Sequence, residues 1–71
     1  MIGAALSRAH SARIKVTIDG GIGWTCVHAS ARGPYRHRTR CSPTPELTLQ
    51  RLEVLIAEAV DAVMQTREEA A

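Results

Sequence analysis

RIKVTIDGGIGWTCVHASARGPYRHRTRC occupies residues 13–41, and its reading decides the fold. The first residues alternate, with Ile14, Val16 and Ile18 on one side and Arg13, Lys15 and Thr17 on the other. A period of two marks a strand with one face against a core, so Arg13 to Asp19 reads as the first strand. Asp19-Gly20-Gly21-Ile22-Gly23 comes next, and Asp-Gly and Gly-Gly steps supply the positive φ angles of tight hairpins. The chain should reverse there. A phosphate cradle would need a helix directly after the glycines, and a strand-like segment follows instead. Trp24 to Ala31 reads as the second strand and Arg32-Gly33-Pro34 as a second break. Tyr35 to Cys41 alternates again, setting Tyr35, His37, Thr39 and Cys41 against a stripe of Arg36, Arg38 and Arg40.

Working outward, Ser42-Pro43-Thr44-Pro45 ends the third strand, because proline cannot donate to a central ladder. Thr44 followed by Pro45 reads as an N-cap and first helical position, so a helix is expected from near Pro45 to about Arg67. Leu49, Leu52, Ile56, Ala59 and Val63 form its apolar stripe, at a spacing that covers one sheet face, while Leu47 and Val54 fall off it. Glu68 and Glu69 oppose the negative end of the helix dipole, so residues 68–71 are expected to fray. Residues 1–12 are rich in small side chains without a sustained period and read as a flexible segment or one weak helical turn. The expected fold is α+β: a three-stranded antiparallel sheet packed against one C-terminal amphipathic helix, in a single domain over residues 13–67.

With 71 residues, one Trp, one Tyr and no Phe, the chain can build one small aliphatic core. Scaffolds of this size commonly add a metal, a disulfide or an oligomeric interface. The formal net charge of +2 conceals a division along the chain. Seven bases and one acid lie between Met1 and Cys41, a net +6, whereas two bases face six acids from Ser42 onward, a net −4. This asymmetry fits a nucleic-acid surface, and equally a solvated face. No apolar run reaches the length of a membrane span, and the apolar start at residues 1–6 is short for a secretory segment. The expectation is a cytoplasmic protein without membrane or small-molecule ligands, whose two cysteines are thiols unless a metal or a disulfide joins them.

The register of the second hairpin decides which side chains act together, since opposed residues of antiparallel strands share a face. If Ala31 pairs with Tyr35 across a three-residue loop, Trp24, Cys26, His28, Arg36, Arg38 and Arg40 form one basic, aromatic face. If Ala31 pairs with Arg36 across a four-residue loop, Cys26 faces Cys41, His28 faces Thr39 and Ser30 faces His37. All four candidate metal ligands, Cys26, His28, His37 and Cys41, then share a face.

In the first register the chain resembles, at the level of fold, the three-stranded-sheet DNA-binding domains of the phage-integrase arm-binding type. The resemblance spans about Arg13 to Met64 and lies in the Gly23-Trp24 strand start, the turn at Gly33, the arginine-rich third strand and the Thr44-Pro45-Glu46 helix start. It implies a sheet entering the major groove with a helix packed behind it; no binding residue is carried over. From the residues themselves, the candidate nucleic-acid-binding set is Arg13, Lys15, Trp24, His28, Arg36, Arg38 and Arg40, with arginines for phosphates or guanine edges and Trp24 for stacking. DNA and RNA are equally open as partners.

The four thiol and imidazole side chains have the chemistry of tetrahedral zinc, but their spacing is not that of a standard ribbon or finger and lacks a Cys-x-x-Cys knuckle. The expectation is therefore no cofactor, with zinc as the alternative. Nearly all carboxylates lie on the helix, scattered over its polar side, and a sheet with one helix offers little concavity, so no catalytic set emerges. The rival to nucleic-acid binding is an interaction module that binds a partner protein, or forms a homodimer, through Leu49, Leu52, Ile56, Ala59 and Val63.

Overall fold

The computed structural model describes the backbone of residues 2–33 and 36–70 and the side chains of residues 3–33 and 36–66. The elements run α1 (Ile2–Ser11), β1 (Lys15–Gly21), β2 (Trp24–Ser30), β3 (His37–Pro43), a 3-10 turn (Thr44–Glu46) and α2 (Leu49–Ala70). The three strands form one antiparallel sheet in the order β1-β2-β3, packed against α2 as the alternation and the helical stripe require. Central β2 buries Val27 and Ala29 beneath Leu55, Ile56, Ala59, Val60 and Val63 of the helix.

The first twelve residues depart from expectation, for α1 is a ten-residue helix. Its core contact is made by Ala5 and Ala9, one turn apart, and alanine's small size disguises an apolar stripe while favouring the helix. Arg8 braces α1 on α2 through Asp61, at 2.7 Å, and the Ala57 carbonyl, although an ion pair this exposed contributes only about 0–1 kcal/mol. The helix ends in a Schellman motif: the Ile14 amide donates to the Ala9 carbonyl and the Arg13 amide to the His10 carbonyl. Arg13, at φ 59°, takes the left-handed position that glycine usually fills, and Ile14 beyond it is buried against Ala9.

The ladder between β1 and β2 continues to Gly21 opposite Trp24, so the reversal narrows to Ile22-Gly23, with Gly23 at φ 82°. In the second hairpin Cys26 opposes Cys41, His28 opposes Thr39 and Ser30 opposes His37, and the Ala31 amide donates to the Arg36 carbonyl. This is the four-residue-loop register. Pro34 and Tyr35, including the expected start of the third strand, lie outside the described residues.

The α-helix starts later than the Thr44-Pro45 signal implied. Thr44-Pro45-Glu46 forms a 3-10 turn that Leu47 breaks with extended backbone at ψ 124°. Thr48 is the N-cap, its Oγ1 accepting from the Arg51 amide at 3.0 Å. Leu47 and Leu52 flank this cap at the positions of a hydrophobic staple, and both pack against the core. Of the expected stripe, Ile56, Ala59 and Val63 are buried and Leu52 is half-buried, but Leu49 in the first turn is 77% exposed. Helical backbone continues through Ala70, beyond the expected end near Arg67; the side chains of Glu68 and Glu69 lie outside the described residues.

Candidate functional site: an arginine-lined end of the sheet

The observed register sorts the basic side chains into three places. Arg38 and Arg40 oppose the buried Ala29 and Val27, so they share the helix-covered face, not the open one. The Arg38 guanidinium donates to Thr66 Oγ1 on α2 at 2.9 Å and to the His37 carbonyl at 2.8 Å. The Arg40 guanidinium donates to the Thr39 carbonyl at 2.9 Å. A basic, aromatic face combining this stripe with Trp24 and His28 is therefore not formed, and the docking implied by the phage-integrase resemblance loses its arginines from the open face.

The open face carries Lys15, Thr17, Asp19, Trp24, Cys26, His28, Ser30, His37, Thr39 and Cys41. Trp24 is 53% exposed on the rung next to the first hairpin, whereas Lys15 lies on the rung next to the second, about 20 Å away at strand spacing. Between them His28 bridges the strands, with Nε2 3.1 Å from Asp19 Oδ1 and Nδ1 3.0 Å from Thr39 Oγ1. The four candidate metal ligands do share this face, but Cys26 and Cys41 are joined in a cross-strand disulfide rather than standing as thiols. With both sulfurs bonded, no group of three His, Cys, Asp or Glu side chains among the described residues is arranged to hold a metal ion.

Basic groups converge where the α1–β1 corner meets the second hairpin loop. Among the described residues, Ala12, Arg13, Arg32 and Arg36 line an open cleft of about 510 Å³, and none of these is a carboxylate. Two features build it. The Schellman cap turns the chain at Arg13 into β1, and Gly33, at φ 113°, leaves room for Arg36 to fold back over the loop. A Cβ at Gly33 would lie 3.3 Å from Arg36 Nε, closer than ordinary van der Waals contact. Lys15 and His37 stand on the adjoining rung of the sheet. Arg13 and Arg36 of the sequence-derived set thus line the cleft with Lys15 on the adjoining rung; Arg38, one residue past His37, is turned to the helix-covered face, and Trp24, His28 and Arg40 lie farther along the sheet.

Arg32 was missed in the sequence because it lies in a break rather than on a strand; its place beside Arg36, four residues on, emerges only once the loop closes. Three guanidiniums around one concavity can hold phosphate or carboxylate oxygens by paired, charge-assisted hydrogen bonds. No family model matches the chain, and no curated protein or solved structure matches it either.

Proposed function

We propose that the protein binds nucleic acid through this end of the sheet, with Arg13, Arg32 and Arg36 contacting backbone phosphates and Lys15 extending the contact along the open face. The observation that carries the reading is the convergence of three arginines on one cleft, with no carboxylate among its described lining residues. Arg13 adds weight, since a non-glycine residue held in the left-handed region costs of order 1–3 kcal/mol, and such outliers cluster at functional sites. The reading moves the contact surface from the centre of the sheet to its end and transfers the principal role from Arg38 and Arg40 to Arg13 and Arg32.

The rival interaction-module reading relied on the stripe of α2. Ile56, Ala59 and Val63 are buried within the chain itself, leaving Leu49 and Val54 as the exposed large apolar residues of that helix among its described side chains. Phosphate contacts by the three arginines give a salt slope of about −2.7 for duplex DNA, roughly −0.9 per phosphate neutralised, and about −3.6 where Lys15 neutralises a fourth. Titrating the protein with duplex DNA and with single-stranded RNA across a salt series tests this. A folded protein that binds neither at low salt, or whose affinity is insensitive to salt, would refute it.

A further inference from the structure

A second cluster, separate from the arginine-lined end, occupies the middle of the open face. Asp19, Cys26 and Cys41 stand side by side on one rung of the ladder, and His28 lies two residues along β2 on the same face. We propose that in its dithiol form the protein binds one thiophilic divalent cation of the zinc type through Cys26, Cys41 and His28, with Asp19 as the positioning residue behind His28.

The backbone already brings the sulfur donors together. Cys26 and Cys41 are directly opposed with their Cα atoms 4.1 Å apart. A tetrahedral zinc ion with Zn–S bonds of about 2.3 Å needs its two sulfurs about 3.8 Å apart. Opening the bridge and rotating two facing side chains supplies that separation without moving either strand. Cys41 is exposed and Cys26 half-buried, so reductant and ion both have access from solvent.

The imidazole is oriented by two hydrogen bonds. With the Nε2 hydrogen donated to Asp19, Nδ1 keeps its lone pair on the side of β3, where it accepts from Thr39 in the metal-free protein. A carboxylate behind a ligating histidine fixes the tautomer and the orientation of the ring. His37 stacks on His28 from the next rung, with ring centroids 5.5 Å apart and planes 7° from parallel, and so limits the tilt of the ring. Three protein ligands then leave a fourth position for water.

The bridge and the ion use the same sulfurs, so the two states exclude each other. A dithiol reductant delivers two electrons and two protons to the Cys26–Cys41 bond and itself closes to a disulfide. Binding of the divalent ion releases the two thiol protons. Metal occupancy is thereby set by the redox state of the face.

The test is an anaerobic cobalt(II) titration of the full chain, reduced and oxidised. Reduced protein should take up one equivalent, with a thiolate-to-cobalt charge-transfer band and the intense d–d bands of a tetrahedral site; oxidised protein should show neither. Asp19→Asn should weaken binding by about 10- to 100-fold. His28→Ala should weaken it further and alter the d–d bands, while His37→Ala should keep both stoichiometry and spectrum. If the reduced chain unfolds, helix content by circular dichroism provides a second readout, and zinc should restore it in wild type but not in His28→Ala. No thiolate–cobalt band in the reduced wild type, or equal binding and equal restoration in His28→Ala, would overturn the assignment.

Discussion

Replacing Arg13 with glycine should stabilise the fold while weakening its proposed function. Arg13 occupies the left-handed position of the Schellman motif that ends α1, at φ 59°. A side chain there costs roughly 1–2 kcal/mol, because Cβ crowds the following carbonyl. Glycine removes that cost but loses more conformational freedom on folding, by about 0.5–1 kcal/mol. The motif's two hydrogen bonds come from backbone amides and survive the change. The net effect should be a gain of about 0 to 1.5 kcal/mol, with Tm rising by roughly 4–8 °C for each 1 kcal/mol in a domain of this size. Loss of one phosphate contact should shift the salt slope for duplex DNA by about 0.9 toward zero. Thermal denaturation followed by circular dichroism gives the first quantity, and a titration across a salt series gives the second. A lower Tm would mean that the arginine side chain itself supports the fold; a higher Tm with unchanged affinity and slope would remove Arg13 from the contact surface.

Three further substitutions probe the framework that carries the site. Cys26→Ser with Cys41→Ser should cost about 3 kcal/mol under oxidising conditions, the chain-entropy value for a loop of this length, measured by urea denaturation against the oxidised wild type. Thr48→Ala removes the N-cap of α2 and should cost about 1 kcal/mol, whereas Thr44→Ala should spare the start of the α-helix, a contrast visible in the same denaturation assay. Ile56→Ala should cost about 2–5 kcal/mol and Leu49→Ala within about 0.5 kcal/mol, because the first is fully buried and the second largely exposed.

The sheet and the helix packed on it were legible because two hydrophobic periods, two and 3.6, operate over long uninterrupted segments. The register of the second hairpin was not. Both loop lengths satisfy the alternation of Trp24 to Ala31 and Tyr35 to Cys41, and a shift of one residue moves Arg38 and Arg40 from the open face to the helix side. Residues 1–12 read as no more than a flexible segment or one weak helical turn because the buried residues of α1 are Ala5 and Ala9, whose hydrophobicity is too slight to define a stripe. The start of α2 was misplaced by four residues, since Thr-Pro signals a turn of helix without specifying whether it is 3-10 or α. The arginine cleft depends on all three of these features. Arg13 reaches it through the cap of α1, Arg32 through the loop, and Arg36 through the register, so residue type alone could suggest a basic protein but not where its charges meet.

The most direct test sets two variants beside wild type in one binding assay: Arg13→Gln/Arg32→Gln/Arg36→Gln at the cleft, and Arg38→Gln/Arg40→Gln along the helix-covered face. Each is checked for folding by circular dichroism and titrated with duplex DNA and single-stranded RNA at low and near-physiological salt. The account predicts that the folded cleft variant loses nearly all binding and salt dependence, while the second variant keeps most of its affinity. Undiminished binding by the cleft variant, with loss in the Arg38/Arg40 variant, would contradict it.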